Sequence, residues 1–305
     1  MKQKIQNKKI QWINITNPNQ KDIKFLKEEH RLCPSILKEY IPKIKRPKVE
    51  TFENYLFVVV HFPVFNRKTK KTVSVELDVI LFEDILITSY TGSFPELKKV
   101  FTKCEVDKPV RDYYLEENAI CLLYKILDKL IDTRMAMLDH IDDRIDKMEE
   151  EIFNGNERKM VSEIAFVKHD IISFRKIVKP QRVVLESLIR TTTKITDKNL
   201  TRVSAEVIGS NVKIWHTLEN YKEMIEALEH TNESLLSYKL GDTMKVLTAF
   251  SVIVLPLSLI ANAFGMNITN GMPFRELPNG FLIIIIIMSF ITFVSFLFFR
   301  FKRWL

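Results

Sequence analysis

Polar, small and ionisable side chains recur at a regular spacing toward the end of this 305-residue sequence. Steps of four and three residues alternate along the series, which places its members on one face of a gently supercoiled helix. Serine, threonine and asparagine offer neutral oxygens and glutamate offers carboxylates, so this face could attract and coordinate cations. The members of this polar stripe are Glu223, Ala227, His230, Ser234, Ser237, Gly241, Met244, Thr248, Ser251, Leu255, Ser258 and Asn262.

The stripe enters an uncharged apolar segment, residues 246–264, which is long enough to cross a hydrocarbon layer of roughly 30 Å as a helix. Polar groups at that depth allow two interpretations: hydrogen bonds between packed helices, or the lining of a water-filled path. Glutamates upstream of the segment, with only Lys222 nearby, favour a path for cations. A solvated helix face is the alternative explanation for these acids. The glutamates are Glu219, Glu223, Glu226, Glu229 and Glu233.

A second uncharged window, residues 281–299, is apolar on all sides and predicts another spanning helix that faces lipid. Basic residues lie before the first span and after the second. Because basic flanks stay on the cytoplasmic side, both termini are predicted to face the cytoplasm, with a short loop outside. No apolar segment follows the basic N-terminal residues, so no cleaved secretory signal is expected. The flanking basic residues are Lys239, Lys245, Arg300, Lys302 and Arg303.

The first part of the chain predicts an α/β domain. Residues 55–62, 72–79 and 85–90 are rich in β-branched and aromatic side chains, which is typical of strands. We expect them to form a small, mainly antiparallel sheet with flanking helices. From residue 112 the apolar spacing becomes helical instead.

Three long helices are predicted beyond this point. The second of them contains Pro180, which is expected to kink or interrupt it. The third should continue without a break from about residue 200 into the membrane. The predicted divisions are a cytoplasmic α/β domain at 1–111, a long-helix hairpin at 112–199, a stalk helix with the first span at 200–267, an external loop at 268–280, the second span at 281–299 and a basic tail at 300–305.

A net charge of +8 raises the question of nucleic acid binding. No zinc knuckle, aromatic RNA-binding signature or basic heptad region accompanies this charge. Basic residues cluster at the predicted membrane surface, where anionic lipid attracts them, so the lipid bilayer is the expected partner and nucleic acid is not. No segment matches G-x-x-x-x-G-K-[ST], so ATP-driven transport is not predicted, and neither an enzyme nor a resident cofactor is implied.

The tripeptide Gly265-Met266-Asn267, at the external end of the first of two C-terminal spans, resembles the signature of the CorA family of magnesium channels. Its surroundings strengthen the resemblance, because several other segments are similar to family features. These are residues 244–248, Pro256-Leu257, Met272-Pro273, the long helix at 122–153 and the ending Phe301-Lys302-Arg303-Trp304-Leu305.

The resemblance implies a funnel-shaped homopentamer whose first spanning helices line a pore inside a ring of second helices. Mg²⁺ prefers oxygen ligands and dehydrates reluctantly, so a ring of Asn267 amides suits the hydrated ion. Gly265 is expected to let the helix end in a conformation that a side chain would resist. The implied roles are an external filter of Gly265, Met266 and Asn267; a gate of Met244 and Leu247, with Ser251, Leu255, Ser258 and Asn262 lining the pore; and a cytoplasmic mouth of Glu223, Glu226, His230, Glu233 and Ser237.

By resemblance, the function is passive Mg²⁺ uptake driven by the potential of a bacterial or archaeal plasma membrane, with Co²⁺ and Ni²⁺ as further ions. Family members also carry regulatory carboxylates, for which Glu206 is the candidate here. Three positions depart from the family pattern: Phe274 and His230 stand where acids are more typical, and Asn262 stands where glycine is common. The alternatives are a ZntB-like transporter of Zn²⁺, and a membrane-tethered coiled-coil scaffold whose helices only pack.

Overall fold

The computed structural model describes residues 2–7, 10–40, 45–66, 71–193, 200–267, 271, 273–274 and 277–304. It divides into two compact units, Met1–Glu229 and His230–Leu305. The architecture is the expected one, with an N-terminal α/β domain, long helices and two apolar C-terminal helices. The finer predicted divisions of the chain remain a proposal.

A six-stranded sheet forms the centre of the α/β domain, in the order β1-β2-β6-β5-β4-β3. β2 and β6 pair in parallel, and every other neighbouring pair is antiparallel, so the prediction of a mainly antiparallel sheet is confirmed. The two edge strands, β1 and β3, were not predicted. The strands are β1 Lys2–Asn7, β2 Ile10–Thr16, β3 Lys48–Thr51, β4 Leu56–Asn66, β5 Lys71–Leu81 and β6 Ile85–Tyr90.

Helices cover the sheet and bury its apolar side chains. Trp12 is fully buried and packs edge-on against Phe101, while its indole N–H donates to Thr88 Oγ1 at 3.0 Å. Thr88 in turn donates to Asn14 Oδ1 at 2.9 Å, so the polar atoms at this point of the core are paired. The short helices are α1 Gln20–His30, α2 Pro34–Glu39, α3 Pro95–Val106 and α4 Lys108–Tyr114.

Two long antiparallel helices follow, α5 Ala119–Phe153 and α6 Glu157–Thr192. The side chain of Asn118 caps α5 by accepting from Cys121 N at 2.7 Å. Gly155, with φ +90°, allows the tight turn between the helices, because a left-handed backbone suits glycine. Five apolar residues of α5 recur at steps of three and four and form a heptad seam, and all five are buried: Leu138, Ile141, Ile145, Met148 and Ile152.

Pro180 was expected to kink or interrupt α6; it lies inside an uninterrupted helix, so the break is wrong, and the kink stays a prediction. A proline removes one backbone donor, but buried neighbours on both sides hold the helix in place. They are Ile177, Val178, Gln181 and Val184.

The third long helix, α7 Leu200–Gly265, has 66 residues and continues unbroken as predicted. Its part in the first unit buries Ile214, Leu218 and Ile225 completely. After α7 comes α8 Gly280–Phe301. By length and composition, α7 and α8 are both able to cross a membrane.

Candidate functional site

The tripeptide marks the point where α7 ends. Gly265 is the last helical residue, and Met266 and Asn267 leave the helix with exposed side chains. The conformational role expected of Gly265 is wrong, because its φ is not positive and a Cβ there would contact nothing within 4 Å. Close packing within this chain therefore does not explain the glycine.

The loop beyond the tripeptide is described only in part, and residues 268–270, 272 and 275–276 lie outside the described residues. Phe274 adopts a left-handed conformation with φ +67°. Its carbonyl oxygen would lie 1.9 Å from a Cβ at position 280, so only glycine fits there. The absence of a side chain at Gly280 thus allows the backbone of Phe274 to pack against the start of α8.

The polar stripe lies on an exposed face of α7 along its whole length, with Ser251 half-buried. Thr248 Oγ1 donates to Met244 O at 2.7 Å, and Ser251 Oγ donates to Leu247 O at 2.9 Å. Each hydroxyl proton is directed to the helix's own backbone. The hydroxyl oxygens therefore keep lone pairs that can face water or a cation.

Exposure alone does not separate a pore face from a lipid face in the second unit, because Val246 and Phe250, off the stripe, are also exposed. Composition separates them instead: the stripe carries Ser258 and Asn262, whereas the opposite positions are apolar. Met244 and Leu247, the predicted gate, are apolar residues with 54% and 56% exposure. No part of the described chain covers them.

Neighbouring cations neutralise much of the acidic stalk, which corrects the sequence-based description of a single nearby lysine. Arg175 on α6 donates to Glu219, and Lys168 Nζ lies 2.5 Å from Glu229 Oε2. On α7 itself, Lys222 and Glu226 are 3.5 Å apart, at positions i and i+4. Three of the five stalk glutamates are therefore ion-paired within the chain, which reduces the potential available to attract cations.

The remaining mouth residues keep the charge or polarity that their proposed role needs. Glu223, Glu233 and Ser237 are exposed. The His230 side chain is 80% exposed, with Nδ1 3.9 Å from Glu233 Oε2. This geometry is that of a solvated stalk histidine beside an acid.

The regulatory candidate, Glu206, is exposed and lies near acids of α5 that the sequence did not single out. The pKa of Asp128 is raised, first by burial and then by the charges of Asp132 and Glu206. Across the described residues, no group of three or more His, Cys, Asp or Glu side chains has the geometry to hold a metal ion. The arrangement brings carboxylates together without forming a closed site.

Sequence reasoning missed Lys168 and Arg175, which face the stalk. They are one heptad apart and therefore share a face of α6, but that signal is detectable only once α6 is known to lie beside α7. Their partners, Glu229 and Glu219, are 61 and 44 residues away in sequence.

Comparison with known proteins adds three findings. A family model described as CorA-like Mg²⁺ transporter protein matches residues 7–303. The chain is 28% identical over 295 residues to the cobalt/magnesium transport protein CorA of Thermotoga maritima, covering 96% of this chain and 83% of that protein. The complete structure of the CorA magnesium transporter from Methanocaldococcus jannaschii matches with a TM-score of 0.85 and 21% identity, over 99% of this chain and 93% of that one.

The chain also has a more distant structural relative. The ZntB cytoplasmic domain from Vibrio parahaemolyticus matches with a TM-score of 0.61 and 12% identity, over 76% of this chain and 90% of that one. At that identity the likeness concerns the fold alone.

Proposed function

Because the chain belongs to the family of CorA-like Mg²⁺ transporter proteins, we propose that it is a homopentameric channel for passive Mg²⁺ uptake. Five copies of α7 line the pore and five copies of α8 form the outer ring. Co²⁺ and Ni²⁺ are further permeant ions. The observation that carries this proposal is Asn267, exposed immediately beyond a helix whose polar stripe runs through an apolar span.

Asn267 forms the external ring that recognises the ion. Amide oxygens contact the water shell of Mg²⁺ without stripping it, so the ion is selected but not trapped. Gly265 and Met266 shape the ring, and the absence of a side chain at Gly265 leaves space for neighbouring copies. The ion then passes Asn262, Ser258 and the other stripe residues.

Met244 and Leu247 close the path at its cytoplasmic end. Rings of apolar side chains exclude water from a narrow pore, and a hydrated divalent ion cannot cross a dewetted constriction. Below the gate, Glu223 and Glu233 supply the net negative potential that remains after the other stalk glutamates are paired.

The membrane potential supplies the driving force. A divalent ion that enters the cell gains roughly 4.6 kcal/mol per 100 mV. At equilibrium this corresponds to an inside-to-outside ratio of free Mg²⁺ on the order of a thousand. Neither ATP nor an enzymatic step is needed. Both termini lie in the cytoplasm of a cell whose plasma membrane holds the channel, consistent with the basic residues in the last turn of α8 and just beyond it, Arg300, Lys302 and Arg303.

A flux assay tests this function. The full chain is reconstituted in liposomes that contain a Mg²⁺-sensitive dye, and a K⁺ diffusion potential makes the interior negative. We expect potential-dependent Mg²⁺ influx that Asn267→Ala abolishes or makes unselective. Asn279→Ala is the matched control, because Asn279 also lies outside the helices and its side chain forms no capping hydrogen bond.

The same liposomes separate the alternatives. A ZntB-like zinc transporter would carry Zn²⁺ in preference to Mg²⁺, with a dependence on a proton gradient. A membrane-tethered scaffold would give no cation flux in the wild type, and Asn267→Ala would have no effect. Either result would overturn the Mg²⁺ channel.

A further inference from the structure

One buried glutamine on α6 connects three other elements of the first unit. The amide N–H of Gln181 donates to the backbone carbonyl of His61 on β4. Its Oε1 accepts from Arg134 Nη1 on α5 at 2.5 Å and from Asn211 Nδ2 on α7 at 3.2 Å. Gln181 is fully buried, and Arg134 and Asn211 are 2% and 1% exposed. Strand β4 and helices α5, α6 and α7 therefore meet at a single side chain.

Arg134 makes this junction costly to maintain. It carries a buried guanidinium that forms no ion pair within the described part of the chain, and its Nε has no hydrogen-bond partner there. Burial lowers the pKa of Arg134 to about 9. The guanidinium lies over the Phe62 ring at 4.6 Å, so its contacts are Gln181 and an aromatic face. A purely structural junction would be more stable with an apolar residue in place of such a charge.

Both acceptor positions of Gln181 Oε1 are used by donors from different helices. Rotating α7 about its axis would withdraw Asn211 from this oxygen, and α7 has no other residue paired with Gln181 among the described contacts. An unpaired buried amide is costly, so the junction favours one rotational setting of α7 relative to α5, α6 and β4.

From this geometry we propose that Gln181, held by Arg134, is the positioning residue that fixes the rotational setting of α7 through Asn211. This inference rests on the proposed function, because the same helix carries the proposed gate, Met244 and Leu247. The junction restrains the closed setting. Weakening it lets the gate residues leave the closed arrangement more often.

The test measures Mg²⁺ influx into liposomes for the full chain. Asn211→Ala removes only the contact with α7, whereas Gln181→Glu keeps the acceptor for Arg134 and Asn211 and loses the donor to β4. The matched control is Tyr124→Phe, which breaks another buried hydrogen bond between α5 and α6, Tyr124 OH to Thr192 Oγ1 at 2.9 Å, that does not involve α7. Thermal unfolding of each variant shows how far stability alone has changed.

We expect Asn211→Ala to raise influx at least about twofold above Tyr124→Phe, with an unchanged ratio of Mg²⁺ to Co²⁺. Gln181→Glu should stay closer to the wild type than Asn211→Ala. An influx for Asn211→Ala that is less than twofold above Tyr124→Phe, or below it, overturns the positioning role while the channel function stands. A wild type without Mg²⁺ influx instead overturns the proposed function, and the two failures are thereby distinguished.

Discussion

Replacing Asp78 with asparagine should remove a defined part of the pH dependence of stability. Asp78 lies on β5, in the interior of the sheet, and is 6% exposed. Lys45 Nζ contacts its Oδ2 at 2.5 Å, but its Oδ1 has no hydrogen-bond partner among the described residues. Burial outweighs the attraction of Lys45 and raises the pKa of Asp78 from 3.8 to about 6.

The sign and the size of this pH effect on stability follow from the difference in proton binding between the folded and unfolded states. The folded state binds a proton at Asp78 more tightly than the unfolded state does, so this contribution to stability is fully present below pH 3.8 and is lost as the pH rises through about 6. Between pH 5 and pH 7 the loss is about 1 kcal/mol. For a chain of this size, that corresponds to a melting temperature about 3 °C higher at pH 5.

Other groups titrate in the same range, so the assay is a comparison of two proteins. Burial lowers the pKa of His30, and its protonation as the pH falls through its ordinary 6.5 therefore opposes the effect of Asp78. Burial opposes ionisation of Glu76, but the nearby His61 side chain, the Lys45 backbone N–H that donates to it and the Lys45 ammonium outweigh burial and hold the pKa of Glu76 below the ordinary 4.5, outside this window. Both groups are present in the wild type and in Asp78→Asn.

Melting temperatures of the detergent-solubilised full chain are measured at pH 5 and pH 7 for both proteins. The melting temperature at pH 5 minus the melting temperature at pH 7 should be about 3 °C larger for the wild type than for Asp78→Asn. An identical pH dependence in the two proteins, or a shift of opposite sign, would refute the assignment of a raised pKa to this carboxyl.

Two further substitutions test the gate and the packing of α7. Leu247→Ser should raise the resting Mg²⁺ leak several-fold, because a hydroxyl ring wets the constriction. The control is Leu259→Ser, because Leu259 is also exposed but has no proposed role in the gate, and equal leaks in the two variants would contradict the gate. Ile214→Ala should destabilise the fold by about 2–5 kcal/mol, since this side chain is fully buried. Phe153→Ala, at a side chain that is 66% exposed, should change stability by less than about 0.5 kcal/mol. Chemical denaturation of both variants and the wild type measures the two changes in the free energy of unfolding.

Strong periodicity made the long helices predictable, whereas weak periodicity hid the edge strands. The α5 seam and the continuity of α7 follow from apolar residues at regular steps. β1 buries only Ile5, so most of its residues carry no alternating apolar signal. β3 is short and its side chains are at most half-buried, so neither edge has the pattern of an interior strand.

Contacts between segments that are distant in sequence limit how much of the candidate site can be predicted from the sequence alone. Local sequence around Glu219 and Glu229 contains one lysine, and their partners on α6 become neighbours only through the fold. Pro180 illustrates the same limit, because local preference allowed a break in α6 and the helix continues through it. Gly265 shows the reverse: its type suggested a backbone requirement, and the backbone at that point is ordinary helix.

The unbroken course of α7 also limits how its sequence can change in length. Each residue of an α-helix turns the chain by about 100°, so inserting or deleting one residue between Asn211 and Met244 would carry every later position of the polar stripe to a different side of the helix. Exposed positions in this interval that do not belong to the proposed cytoplasmic mouth can accept substitutions. Insertions or deletions are tolerated only in sizes close to whole numbers of turns, such as seven residues.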